Sequence, residues 1–110
     1  MTDALVALIQ QYRETFPQKI GDLEQALAKA EQTGWQPNAL EPLASLIHRL
    51  AGSAGAYGFS DIHQQATAAD HQLKALRQRD DAPPPADIEQ IRRIVNDVIA
   101  ALKTANNATA

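Results

Sequence analysis

The 110-residue chain contains no cysteine, which excludes disulfides, thiolate metal sites and thiol catalysis. Aromatic residues make up only 5% of it and valine occurs three times. The residue types that favour strands are therefore scarce, no stretch alternates in the strand manner, and no sheet is expected. No apolar run approaches the ~20 residues of a membrane span. The opening Met1-Thr2-Asp3 is acidic rather than basic, so no secretory leader is expected. Ten Lys and Arg stand against thirteen Asp and Glu, for a net charge of −3. No basic cluster offers a footprint for a phosphate backbone, so nucleic acid is not an expected partner. A single cytoplasmic domain over residues 1–110 is expected.

What the chain has in quantity is alanine, 21 residues, and glutamine, 11, both good helix formers. Apolar residues recur in steps of three and four. Leu5, Leu8 and Tyr12 predict a helix from Asp3 to about Glu14. A second follows, with Ile20, Leu23, Leu27 and Ala30, capped by Thr15 and Gln18 in the reciprocal manner of a capping box and ending near Thr33-Gly34. A third, beginning between Asn38 and Pro42, carries Leu43, Ile47, Leu50, Ala54 and Tyr57. Gly58 ends it in a hairpin turn, and Ser60 is read as the cap of a fourth with Ile62, Ala66, Ala69, Leu73 and Leu76. Asp80 to Ala86, with three consecutive prolines, reads as a linker. Ile88, Ile91, Val95, Val98 and Leu102 mark the fifth helix, with fraying expected after about residue 104. Trp35 reads as a lid on the core. Narrow apolar stripes with short connections predict an all-α fold: an antiparallel four-helix bundle with a short additional N-terminal helix packed on one end.

On a helical wheel at about 100° per residue, Leu43, Leu46, Leu50 and Tyr57 lie roughly 140–200° from His48. His48 thus points out of the core. Its neighbours within about 60° are Glu41, Ala44, Ser45, Ala51, Gly52 and Gly55, nearly all small. Exposed glycine in a helix costs about 1 kcal/mol relative to alanine. Two readings of that cost stand: close approach by another protein, or close crossing of two helices within the chain.

The segment from His48 to Gly58, HRLAGSAGAYG, resembles the signature of histidine-containing phosphotransfer (HPt) domains. That pattern is His-x-Leu-Lys-Gly-Ser/Ala-Ser/Ala with a glycine four residues later, matched at His48, Leu50, Gly52, Ser53, Ala54 and Gly58. The resemblance implies a helical bundle whose His48 accepts a phosphoryl group in a two-component relay. Ala44, Ser45, Arg49, Ala51, Gly52, Ser53 and Gly55 would then form the supporting and docking face. It implies receiver domains of a hybrid sensor kinase or of response regulators as partners, a monomer, no cofactor, and a carrier rather than an enzyme. Ala51 departs from the pattern, which often has lysine there. Arg49, or more distantly Lys74, is the candidate replacement cation. A non-catalytic adaptor using the same small-residue face is the alternative.

Nε2 of His48 is the expected nucleophile, being the ring nitrogen farther from the backbone. Gln64, Gln65 and Asp70 are candidates to hydrogen-bond near His48 across the hairpin. His63, Thr67, Asp70 and Lys74 share a face of the fourth helix. His63 and His71, eight residues apart, are too far along the axis to share a metal ion, so no metal site is expected.

Overall fold

The computed structural model describes residues 3–107. Its helices are α1 (Asp3–Glu14), α2 (Phe16–Gln32), α3 (Glu41–Ala56), α4 (Ser60–Arg77) and α5 (Pro85–Asn107), with a 3₁₀ turn at Pro37–Leu40 leading into α3. Among the described residues there is no strand. Helices α2 to α5 form the antiparallel four-helix bundle, each packing on two neighbours in the order α2–α3–α4–α5–α2. Every apolar position expected on α4 is buried, and so are Leu43, Ile47, Leu50 and Ala54 on α3 and Ile91, Val95, Val98 and Leu102 on α5. No polar or charged residue is buried among the described residues, so the core is held by apolar burial alone.

Three connections differ from expectation. Thr15 has helical dihedrals (φ −82°, ψ −8°) and makes no cap to α2. Its hydroxyl donates to the Tyr12 carbonyl at 2.6 Å, while Gln18 donates to Asp22 at 2.9 Å. The capping box does not form because the chain passes from α1 into α2 with scarcely a break. Ser60 is the first residue of α4 rather than its cap. Phe59 holds that position, with no side-chain cap bond. The Pro84 carbonyl accepts from the Asp87 and Ile88 amides, so α5 begins at Pro85 and shortens the linker. At the other end α5 runs on through Asn107, past the expected onset of fraying; residues 108–110 lie outside the described residues.

Gly58 ends α3 as expected, at φ +81°. Its amide donates to Gly55, and the Phe59 amide reaches back to Ala54 at 2.9 Å, the 6→1 bond of a Schellman turn. After α2, Gly34 (φ +72°) and Trp35 (φ +60°) are both left-handed. For a tryptophan this costs about 1–2 kcal/mol, offset by burial of its indole, which is 3% exposed and lids the core as expected. Leu5 and Leu8, expected on the packed face of α1, are 45% and 49% exposed. The α1 backbone approaches only α2 and α5, and the molecule measures 50 × 20 × 19 Å. α1 prolongs α2 along the long axis rather than folding onto the bundle. Tyr12 anchors it, stacking on Tyr57 at 4.4 Å and meeting Phe16 and Phe59.

Candidate functional site

The tight turn at Gly58 sets the register of the α3–α4 hairpin, and three polar contacts mark that register. Glu41 at the start of α3 pairs with Arg77 at the end of α4. His48 Nδ1 lies 3.2 Å from Asp70 Oδ2. His63 Nδ1 lies 2.8 Å from the Ala51 carbonyl. Residues equidistant from the turn therefore face one another. Of the three candidates for a partner across the hairpin, the register selects Asp70.

The His48 side chain is 73% exposed and that of Asp70 18%. The imidazole is thus open to solvent, while its partner is held in the hairpin. An ionised carboxylate can only accept, so the contact requires the proton on Nδ1. In the neutral ring that leaves the lone pair on Nε2.

The residues expected around His48 separate into groups. Ala44 and Ala51 are buried, at 3% and 9% exposure, so they support the hairpin from beneath and are out of reach of a docking protein. Ser53 is turned away. Its hydroxyl sits 2.6 Å from that of Tyr12 and donates to the Leu50 carbonyl, tying α3 to α1. Burial pushes the Tyr12 phenol above its ordinary pKa, a rise the bond to Ser53 partly opposes. Ser45, Arg49 and Gly52 are exposed. Arg49, the nearest cation in sequence, lines the groove between α2 and α3 together with Lys19, on the side of α3 away from Asp70. Lys74 stands one turn beyond Asp70 on α4, exposed and in no ion pair among the described residues.

Gly52 and Gly55 have different causes. A Cβ at Gly52 would meet nothing within 4 Å. One at Gly55 would come 2.9 Å from His63 Nδ1, closer than real Cβ contacts allow. Gly55 is small so that the His63 imidazole can lie against the α3 backbone. Gly52 has no such reason among the described residues. The Gly55–His63 contact went unrecognised in the sequence, although its signal was there: both residues are close to the turn and on opposite arms.

Among the described residues no three His, Asp or Glu side chains converge on a possible metal position, and no helix is long and apolar enough to cross a membrane. The profile of the Hpt domain matches residues 7–104, nearly the whole chain. The chain belongs to the Hpt family. Searches of curated proteins and of solved structures each returned no match. Membership gives this Hpt domain a phosphotransfer role in two-component signalling, as a phosphocarrier module that interacts with receiver domains.

Proposed function

We propose that this Hpt domain accepts a phosphoryl group on His48 Nε2 from the phosphoaspartate of one receiver domain and passes it to the aspartate of another. The observation that carries the reading is the open, exposed His48 with Nδ1 held by Asp70. In the forward step the Nε2 lone pair forms a bond to phosphorus, in line with the bond that breaks. The aspartate carboxylate leaves with that bonding pair. No proton needs to move, and the ring gains positive charge, which the Asp70 carboxylate beside Nδ1–H stabilises. Transfer onward is the same step reversed. Charge on the phosphoryl oxygens is met by groups that the receiver supplies, since phosphoryl transfer depends chiefly on positioning and electrostatics.

Gly52 supports the docking half of the proposal. Its smallness serves no packing among the described residues, whereas a partner must approach within a few ångströms for in-line attack. The domain acts as a cytoplasmic monomer in this reading, and meets its partners in brief encounters over an interface at or below about 1,200 Å².

The adaptor reading draws on Ala51, where the family's frequent lysine is replaced by a buried alanine. Incubation with a phosphorylated receiver separates the two. Wild type takes up acid-labile phosphate, His48→Gln takes up none with helicity unchanged, and His63→Gln and His71→Gln still accept. Label that persists in the His48 variant, or its absence from wild type with every receiver tried, overturns the proposal.

A further inference from the structure

Helix α4 has two seams, one with α3 and one with α5, while α3 and α5 stand diagonally across the bundle. The α3 seam carries His48 and Asp70. The α5 seam faces another side of the molecule. It holds two hollows, one of about 570 Å³ at the Gly58 end and one of about 210 Å³ toward the other end. Their lining runs along α5 from Asp87 to Ala105, eighteen residues or about 27 Å of helix. The floor of the larger hollow is apolar, built by Phe59, Ile62, Ala101 and Ala105. The two alanines, one turn apart, leave the room that longer side chains would fill.

The charges of this seam have one sign. Three aspartates line it, Asp61 and Asp97 in the larger hollow and Asp87 in the smaller, and among the described residues no lysine or arginine does. The α2–α3 side of the bundle instead carries Lys19, Lys29 and Arg49. None of the three aspartates is in an ion pair among the described residues. Asp61 and Asp87 lie in the first turns of α4 and α5, where the helix dipole favours a carboxylate. Asp97 is in the middle of α5 and has no such reason. Arg93, one turn before it, is exposed, lines neither hollow and is not paired with it. Among the described residues the last turn of α5 holds no basic residue, so the negative end of its dipole is uncompensated. Thr104 and Ala105, at that end, share the larger hollow with Asp61.

We infer that the α4–α5 seam is a docking surface for a basic amphipathic helix of a partner protein. Its apolar residues rest on Phe59, Ile62, Ala101 and Ala105, while its lysines or arginines meet Asp61, Asp97 and, further along, Asp87. A bound metal ion does not account for the arrangement. Among the described residues no three His, Asp or Glu side chains converge, and a bare cation makes no use of an apolar floor. Nucleic acid and anionic lipid are repelled by three carboxylates. A helix laid in a groove uses the floor and the charges together. The seam lies on the side of α4 away from α3, so its occupant leaves His48 open. A receiver linked to that occupant would be held near His48 at raised effective concentration.

The test uses the unphosphorylated full chain with no receiver present, so its outcome is independent of the role of His48. The probe is a labelled helical peptide with leucines at i, i+4 and i+7 flanked by lysines. It is compared with the same peptide carrying glutamine, or glutamate, for lysine. The lysine peptide is expected to bind, with affinity falling as salt rises and amide shifts confined to residues 58–76 and 87–105. Asp61→Asn and Asp97→Asn should each weaken it about two- to fivefold, the range of an exposed ion pair, and the double variant more. Asp22→Asn, the same change of charge on the α2–α3 side, should leave it unaltered. Equal binding of the glutamine or glutamate peptide, shifts centred on α2 and α3, or an unchanged affinity in the double variant would overturn the inference.

Discussion

Gly52 and Gly55 lie three residues apart on one helix, yet alanine should stabilise the protein at the first and fail to do so at the second. Alanine is favoured over glycine in a helix interior by about 1 kcal/mol, and somewhat less near a helix end. At Gly52 the new methyl enters open space, so the full gain is expected. For a domain of this size that raises Tm by roughly 4–8 °C. At Gly55, near the end of α3, the intrinsic gain is about 0.5 kcal/mol. Against it, the methyl would stand 2.9 Å from His63 Nδ1 and must displace the imidazole from the Ala51 carbonyl. Losing that hydrogen bond costs about 0.5–1.5 kcal/mol, so the net change is neutral to about 1 kcal/mol destabilising. Thermal and urea unfolding followed by circular dichroism measure both variants. The decisive step repeats Gly55→Ala in a His63→Ala background, where the clash is gone and alanine should stabilise as intrinsic propensity dictates. A coupling of about 1 kcal/mol between positions 55 and 63 is expected. If Gly55→Ala stabilises wild type as much as Gly52→Ala does, with no coupling to His63, the explanation of the two glycines is wrong.

Gly52→Gln should leave the fold intact while slowing receiver-dependent phosphorylation, and an unchanged transfer rate would remove the docking argument. Asp70→Ala removes the carboxylate beside a largely exposed imidazole, a loss on the order of 1 kcal/mol and so several-fold in transfer rate. Nitrogen-15 spectra of His48 should show the Nδ1–H form less dominant in that variant, and an unaltered tautomer with unaltered rate would sink the assigned role. The Glu31 carboxyl is held below its usual range, first by the hydrogen bond from Arg92 and also by that from Trp35. Its folded pKa being depressed, the stability it contributes is present above about 4.5, the ordinary glutamate value, and is lost as pH falls through the lower folded value. Urea midpoints of wild type should therefore decline more steeply below that pH than those of Glu31→Gln; parallel profiles would contradict this. On receiver binding, amide shifts should cluster on residues 41–55 and part of 60–74, and a footprint centred on α5 would contradict the proposed site.

Much of this protein is determined by local sequence. Apolar steps of three and four mark the buried faces of α2 to α5, because a helix rotates about 100° per residue whatever surrounds it. The outward aim of His48 follows from the same rotation, and the turn at Gly58 follows from glycine's access to positive φ. Tertiary structure decided what rotation alone cannot. Leu5 and Leu8 have the spacing of a core face, yet a stripe is buried only where another element meets it, and α1 overhangs the bundle. Thr15 and Ser60 have the chemistry of caps, but a cap also needs a chain that turns at that residue, and neither does. Ala44 and Ala51 share the His48 side of the wheel and are nonetheless covered, since the wheel gives direction about one axis and not the position of α4 beside it. Asp70 rather than Gln64 or Gln65 meets His48, and Gly55 serves His63 while Gly52 serves nothing inside the chain. Those distinctions depend on the register of two packed helices, a property of the hairpin as a whole.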